Sequence, residues 1–390
     1  DLNQQQKVLN SYGYPMGLAD YSAFILGGLP KQGQTLEEVK DLLLNEIKKL
    51  RAGEFDEKML QANINNFKLY ELQSMESNEG RADIFVNSFI NGTNWKDEVT
   101  AIDRMAKLTK EDIVAFADKY LKEDNYAVVY KKQGKDPNEK KMTKPEITPI
   151  VSNRDVASPF LTSIQENAVK PIEPVFLDFK KDMSQLTAKS DIPVLYKQNT
   201  TNDLFQLIYV FDMGNNNDKA LGTAFDYLEY LGTSDMTPEE LKSEFYRLAC
   251  TFYVSPGNER TYVVLSGLNE NMPAAMQLFE KLLADAQANK EAYNNLVGDI
   301  LKARADAKLN QGQNFSRLMN YAMYGPKSPA TNLLTEAELA SMNPQELVDR
   351  IHNQNNYKHR ILYYGPSSSK DLLATIDQYH QVPATLKDIP

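Results

Sequence analysis

Phe24-Ile25-Leu26-Gly27-Gly28-Leu29 and Val263-Val264-Leu265-Ser266-Gly267-Leu268 are two versions of one phrase, an apolar run that closes on glycine and leucine. Runs rich in β-branched and aromatic residues read as strands. Each is followed by a helix with a similar apolar stripe. The likeness returns further on, where Thr109-Lys110-Glu111-Asp112-Ile113-Val114 falls on Asn343-Pro344-Gln345-Glu346-Leu347-Val348 at almost the same offset. Self-similarity over so long a distance exceeds a solenoid repeat and implies one structural unit used twice.

The first copy opens with a polar stretch that reads as helical, then a strand from Tyr21 to Leu29. Thr35 and Glu38 have the spacing of a capping box. Leu36, Val39, Leu42, Leu43, Ile47 and Leu50 form one stripe, and Lys48, Lys49 and Arg51 precede Gly53, where the helix should stop. A long helix from about Asp56 to Met75, shorter helical pieces, a Thr109-capped helix to Tyr120 and a strand from Tyr126 to Tyr130 complete it. Gly27-Gly28 reads as backbone lying close to a neighbour.

The second copy repeats this order: strand Tyr262 to Leu268, a helix from Pro273, a long helix from Lys290, an Asn343-Pro344 cap and strand Arg360 to Tyr364. It alone has a front part. That part is a hairpin of Gln185 to Lys189 with Val194 to Lys197, strand Leu204 to Phe211, a helix over 218–231, and a Thr237-Pro238-Glu239-Glu240 cap. Each unit is therefore expected to be α+β, a largely antiparallel sheet with helices on one face, the first unit truncated at its N-terminus.

Pro137, Pro145, Pro149, Pro159, Pro171 and Pro174 remove backbone donors and interrupt helices, so 136–175 reads as an extended interdomain linker. The expected domains are 1–135 and 176–368, with 369–390 starting a connection to a following domain. The 390 residues are 42% hydrophobic and 25% charged, in the range of globular proteins, and no apolar run reaches a membrane span. A net charge of −10 argues against nucleic acid as a partner. Cys250, the only cysteine, continues the helical pattern Leu241, Phe245, Leu248 as a core residue and excludes an internal disulfide. Asp1-Leu2-Asn3-Gln4 carries neither an initiator Met nor a signal peptide and reads as the start of a cut piece.

His352, His359 and His380 lack the spacing of a zinc helix or finger and read as surface or packing residues. There is no nucleophile elbow, phosphate loop or dinucleotide fingerprint. Acidic pairs such as Glu239 with Glu240, or Asp226 with Glu229, read as solvated helix surface.

The duplicated α+β unit, the proline-rich linker and the wording of the second copy resemble the pitrilysin and insulinase family of zinc metallopeptidases. In that family H-x-x-E-H lies on a helix shortly before Gly-Thr or Gly-Ser, then come a capped helix and a strand. Here Leu221 to Leu231 leads to Gly232-Thr233, then Thr237-Pro238-Glu239-Glu240-Leu241, then Arg260-Thr261-Tyr262-Val263-Val264. The resemblance places the zinc histidines on Thr223 and Tyr227, the general base on Asp226 and the third ligand near Asp299. Thr and Tyr are poor zinc ligands, so the motif is degenerate, and this piece is expected to hold no zinc, cofactor or catalytic residue.

By the family pattern, 1–135 resembles the rear of the second domain and 176–368 the third, with zinc in a missing first domain. What the resemblance implies is a non-catalytic central fragment of a bacterial metalloendopeptidase, periplasmic if the parent is like pitrilysin. Its partners would be peptide or unfolded polypeptide substrates in a closed chamber, and the truncated domain would favour self-association. The piece would supply chamber wall and hinge and be inactive alone. The alternative is a scaffold or partner subunit like the core subunits of processing peptidase.

Overall fold

The computed structural model describes residues 2–18, 20–135, 142–150, 152, 154, 156–328 and 331–390. The chain divides into two units, Asp1–Tyr126 with Met183–Pro390, and Ala127–Asp182.

In the first copy β1 (Asn10–Gly17) pairs antiparallel with β2 (Ser22–Leu29), Asn10 opposite Leu29. Helix α1 (Leu36–Arg51) starts at the Thr35/Glu38 capping box and lies against β2. Gly28 permits this approach, since a Cβ there would stand 2.5 Å from Val39 Cγ1, and Gly27 makes room for the Tyr12 ring of β1, which a Cβ would meet at 2.2 Å. There follow α2 (Lys58–Ser74), α3 (Asn78–Ile90), α4 (Trp95–Val99), α5 (Ala101–Met105) and α6 (Lys110–Tyr120), the last begun by the Thr109/Asp112 capping box.

Two expectations fail here. The polar opening is a series of turns followed by β1, because Gly13, Pro15 and Gly17 disfavour a helix. Tyr126 to Tyr130 forms no strand. Its counterpart in the second copy is held between two neighbours, and β propensity measures fit to such a pleated surface rather than an intrinsic backbone preference.

The unit Ala127–Asp182 takes in the expected linker, of which Pro137 lies outside the described residues. Its described backbone is irregular except for a short helix, α7 (Pro159–Gln165), where Ser158 Oγ accepts from the Leu161 amide.

The second copy is built on β3 (Ser184–Ala188), β4 (Ile192–Gln198) and β5 (Leu204–Phe211), then α8 (Leu221–Leu228) and α9 (Pro238–Arg247). Next come β6 (Cys250–Pro256), β7 (Thr261–Leu268), α10 (Met272–Asp285), α11 (Lys290–Ala307) and α12 (Gln311–Tyr324). The unit ends with α13 (Glu336–Ser341), α14 (Pro344–Asn353), β8 (Arg360–Gly365) and α15 (Ser369–Tyr379). The six strands run β3-β4-β8-β5-β7-β6, antiparallel throughout except for the parallel pair β4 and β8. The chain is thus α+β with an antiparallel-rich sheet. The order β2-α1-α2 recurs as β7-α10-α11, and capped α6 recurs as capped α14.

Along β5, Phe205, Leu207, Tyr209 and Phe211 point into the core with Phe225, Phe279, Val348 and Ile376 of the helices. Tyr364 and Tyr262, on the other sheet face, are 41% and 38% exposed, so helices cover one face. Residues 369–390, read in the sequence as the start of a connection, pack on the second copy: Leu372 and Ile376 of α15 are fully buried, and Lys387 bridges to Tyr357. The stripe Leu372, Leu373, Ile376 explains this, since it has an apolar surface to bury.

Cys250 also departs from expectation. Helix α9 ends at Arg247, Ala249 turns the chain at φ +46°, and Cys250 opens β6 with its thiol buried and pushed up to about 12. The turn depends on Gly267, at φ +150°, where a Cβ would fall 2.3 Å from the Ala249 carbonyl oxygen. Gly267→Ala should therefore destabilise the fold by about 2–4 kcal/mol, combining backbone strain with overpacking. Urea unfolding checks this, and an unchanged midpoint would contradict it.

Candidate functional site

Helices α8 and α11 carry the four positions, Thr223, Asp226, Tyr227 and Asp299, that the family resemblance aligns with a zinc motif. Tyr227 is fully buried, and its hydroxyl donates to the Asn289 carbonyl at 2.6 Å and accepts from the Asn289 amide at 2.7 Å. Asn289 in turn caps α11, its Oδ1 accepting from the amides of Glu291 and Ala292. The Tyr227 ring stands edge-on to Tyr293, centroids 5.7 Å apart. Tyr227 thus ties α8 to the start of α11 through neutral hydrogen bonds.

The other positions face a different way. Asp226 keeps solvent access on α8, yet the protein around its carboxyl, aided by Glu229, pushes its pKa up. Burial does the same at Asp299 on α11, against the pull of Lys31 and Lys302. Tyr230 is raised first by burial and then by Glu229, Asp299 and Asp226, so its hydroxyl feels all three carboxylates. Thr223 is half-buried on α8. The fold therefore gathers Asp226 and Asp299 around Tyr230 and turns Tyr227 towards Asn289.

The segment before β1 reaches this place too. Gln4 Nε2 donates to the Glu229 carbonyl at 2.9 Å, Gln6 Nε2 to the Ala292 carbonyl at 3.3 Å, and Asn295 Nδ2 to Gln6 Oε1 at 3.2 Å. Lys31 Nζ donates to the Gln6 carbonyl at 2.7 Å, bringing a cation to the acidic group. Gln6 holds this turn at φ +48° while buried. Among the described residues no three of His, Cys, Asp and Glu are placed to hold a metal ion. Carboxylate oxygens alone are in any case a poor set for zinc, which favours imidazole and thiolate.

Beside the acidic group lies a cavity of about 210 Å³ lined by Leu228, Leu231, Leu241, Phe245, Phe252 and Leu282, with Gln4, Glu229, Lys242 and Thr251 among its other residues. Strand β6, which supplies Thr251 and Phe252, is an edge of the six-stranded sheet. An extended segment pairing with that edge would run past the cavity.

The sequence reading missed one constellation. His359 and His380, 21 residues apart, meet Nε2 to Nε2 at 2.9 Å in the interior, and His380 Nδ1 lies 2.6 Å from Glu280 Oε1. Alternating spacing gave no sign of this, because the three residues belong to the end of β8's lead-in, the end of α15 and the middle of α10. His352 is separate, its Nε2 3.1 Å from the Ala286 carbonyl.

No protein-family model matches the sequence, and no curated protein matches it. Solved structures do. A peptidase M16 inactive domain from Pseudomonas fluorescens is similar at 16% identity over 54% of this chain and 53% of that one, with a TM-score of 0.46. The periplasmic protease PqqL from Escherichia coli is similar at 13% identity over 99% of this chain and 46% of that one, TM-score 0.47. A mutant of the ferredoxin protease FusC, solved with Arabidopsis ferredoxin, is similar at 11% identity over 100% and 46%, TM-score 0.48. The chain spans about half the length of these solved structures. No helix among the described residues is long and apolar enough to cross a membrane.

Two outcomes follow from the geometry. Tyr227→Phe leaves the amide and carbonyl of Asn289 without their buried partner and should cost about 1–3 kcal/mol, read by urea unfolding; an unshifted midpoint would contradict it. The second concerns His359, whose pKa is lowered to about 4 by burial first and by His380 next. The unfolded chain takes up this proton near pH 6.5 and the folded chain only near 4, so stability should fall as pH drops through that window and level off below it. The loss is on the order of 3 kcal/mol. His359→Phe should flatten that part of the pH profile, and an identical slope in the variant would refute the assignment.

Proposed function

We propose that this chain is a non-catalytic central part of a zinc-dependent metalloendopeptidase resembling the pitrilysin and insulinase family, acting on peptides or unfolded segments enclosed in a chamber. In this reading 1–135 and 176–368 are two peptidase-family domains that form chamber wall, 136–175 is the hinge, and zinc belongs to a separate domain of the parent. A periplasmic place of action goes with it.

The single observation that carries the reading is Tyr227. The resemblance assigns this position to a zinc histidine, and here its side chain is committed to both backbone groups of Asn289. A bound metal would have linked α8 to α11, and a pair of hydrogen bonds now makes that link. Asp226 and Asp299 remain as carboxylates with raised pKa beside an apolar cavity and a sheet edge. Such a surface can hold an extended peptide through backbone pairing and one apolar side chain, without the means to cut it.

The test joins elemental analysis to peptide binding on the purified chain. The expected outcome is no stoichiometric zinc, no peptide hydrolysis, and binding of an extended peptide carrying a large apolar side chain. Val254→Pro, which removes an outward-facing amide of the β6 edge and leaves the β6–β7 ladder bonds in place, should weaken that binding at least tenfold, about 1.4 kcal/mol. One zinc per chain, lost in Asp226→Asn or Asp299→Asn, would show a living metal site and overturn the reading. Absence of any peptide binding would remove the substrate-holding role.

A further inference from the structure

Glu280, His380 and His359 form a buried chain of hydrogen bonds whose proton count can be worked out from its partners. Glu280 is 1% exposed and His380 fully buried, and His359 is 6% exposed. Apart from His380, each neighbour of the Glu280 carboxyl donates to it. Oε1 accepts from the Tyr209 hydroxyl at 2.9 Å and faces His380 Nδ1 at 2.6 Å; Oε2 accepts from Asn355 Nδ2 and from the Gln381 amide, both at 3.0 Å. Three donors on the carboxyl favour its carboxylate form, in which His380 Nδ1 carries the proton between the two groups.

At the other end His359 Nδ1 lies 2.7 Å from the Tyr357 carbonyl oxygen, which can only accept, so that nitrogen carries a proton as well. If both rings were neutral, two lone pairs would then face each other across the 2.9 Å between the Nε2 atoms. One further proton is required between them. A metal ion fits the gap less well, because two imidazole nitrogens on tetrahedral zinc, each about 2.0–2.1 Å from the metal, stand roughly 3.3 Å apart.

We propose that Glu280, His380 and His359 are a buried one-proton site, with His380 as an imidazolium between the Glu280 carboxylate and the neutral His359, and that this proton buckles the C-terminal strap 381–390 to the sheet. The surroundings suit a cation: the Tyr209 ring lies 4.4 Å from the His380 ring, centroid to centroid. Tyr209 of β5, Glu280 of α10, His359 before β8 and His380 after α15 are the titratable groups that meet here.

The strap hangs on this point. Gln381 donates its amide to Glu280, Ser190 Oγ donates to the Pro383 carbonyl, and Lys387 exchanges backbone bonds with Lys358 and Asn356, next to His359. A second proton on the histidine pair would set two cations face to face and open the contact. His359 reaches that condition only in acid, its pKa standing at about 4. Below that pH the strap should open before the sheet does.

Nitrogen-15 NMR of the full chain labelled at histidine tests the site directly. At pH 7 the expected pattern is protonated-type shifts at both ring nitrogens of His380, and at His359 a protonated Nδ1 with an acceptor Nε2. Two neutral rings would overturn the proposal, as would metal-type shifts with a stoichiometric metal by elemental analysis. Hydrogen exchange of the same chain reads the buckle. Protection at the Gln381 and Lys387 amides should fall at least tenfold between pH 5 and pH 3.5, while β5 and β7 amides keep theirs. Loss of protection in strap and sheet together, or in neither, would overturn the buckling role. Glu280→Gln, where it folds, should abolish the imidazolium pattern at His380 and speed strap exchange at pH 7; an unchanged pattern would count against the site.

Discussion

The inward face of β5 is the constraint on which the second copy depends. Phe205, Leu207, Tyr209 and Phe211 are each at most 2% exposed, and each such burial is worth roughly 1.5–3 kcal/mol. Domains are net stable by only about 5–15 kcal/mol, so losing two or three of these burials removes the margin. The strand lies in the middle of the sheet, between β8 and β7, which fixes the register of both neighbours. A slip by one residue would turn the aromatic set towards the open face and cannot be tolerated. The helices then have one place to go, and α8, α10, α14 and α15 all bury their stripes there.

That arrangement explains how α8 and α11 stay together by packing and neutral hydrogen bonds. The contact between α8 and α11 is maintained by packing of Leu221, Leu228, Tyr293 and Leu296 and by the Tyr227–Asn289 pair. Neutral hydrogen bonds supply direction there, and the apolar surface supplies the energy. The acidic residues near Tyr230 lie beside the turn through Gln6, where Gln4 bonds the Glu229 carbonyl and Lys31 brings a cation towards Asp299. The edge strand β6 and its cavity are by contrast products of the sheet's order, since an edge exists only where the next strand is absent.

Local chemistry was readable where it is local. The capping boxes at Thr35/Glu38 and Thr237/Glu240, the caps at Thr109 and Asn343, and the strands around Leu26 and Leu265 stand where spacing put them, because each depends on contacts within four residues or on a period of two. Tyr126 to Tyr130 has the same local character as β8 and forms no strand, since pairing is a property of neighbours. Cys250 fitted a helical stripe until Ala249 reversed the chain, and the reversal is made possible by a glycine 18 residues away across the β6–β7 pair. Thr223, Asp226, Tyr227 and Asp299 could be singled out from the sequence, but the partners of their side chains could not.

The sequence by itself determined the α+β class, the doubled order of elements and the absence of a metal-ligand motif at those positions, because each is written in residue type and short spacing. Only the tertiary structure decided that Tyr227 bonds Asn289, that the segment before β1 reaches Glu229 and Ala292, that 369–390 closes the second copy, and that Glu280, His359 and His380 meet. The reason is physical. Those contacts join residues 21 to nearly 290 positions apart, and what brings them together is the burial of one sheet face, a quantity summed over the whole core and carried by no single segment.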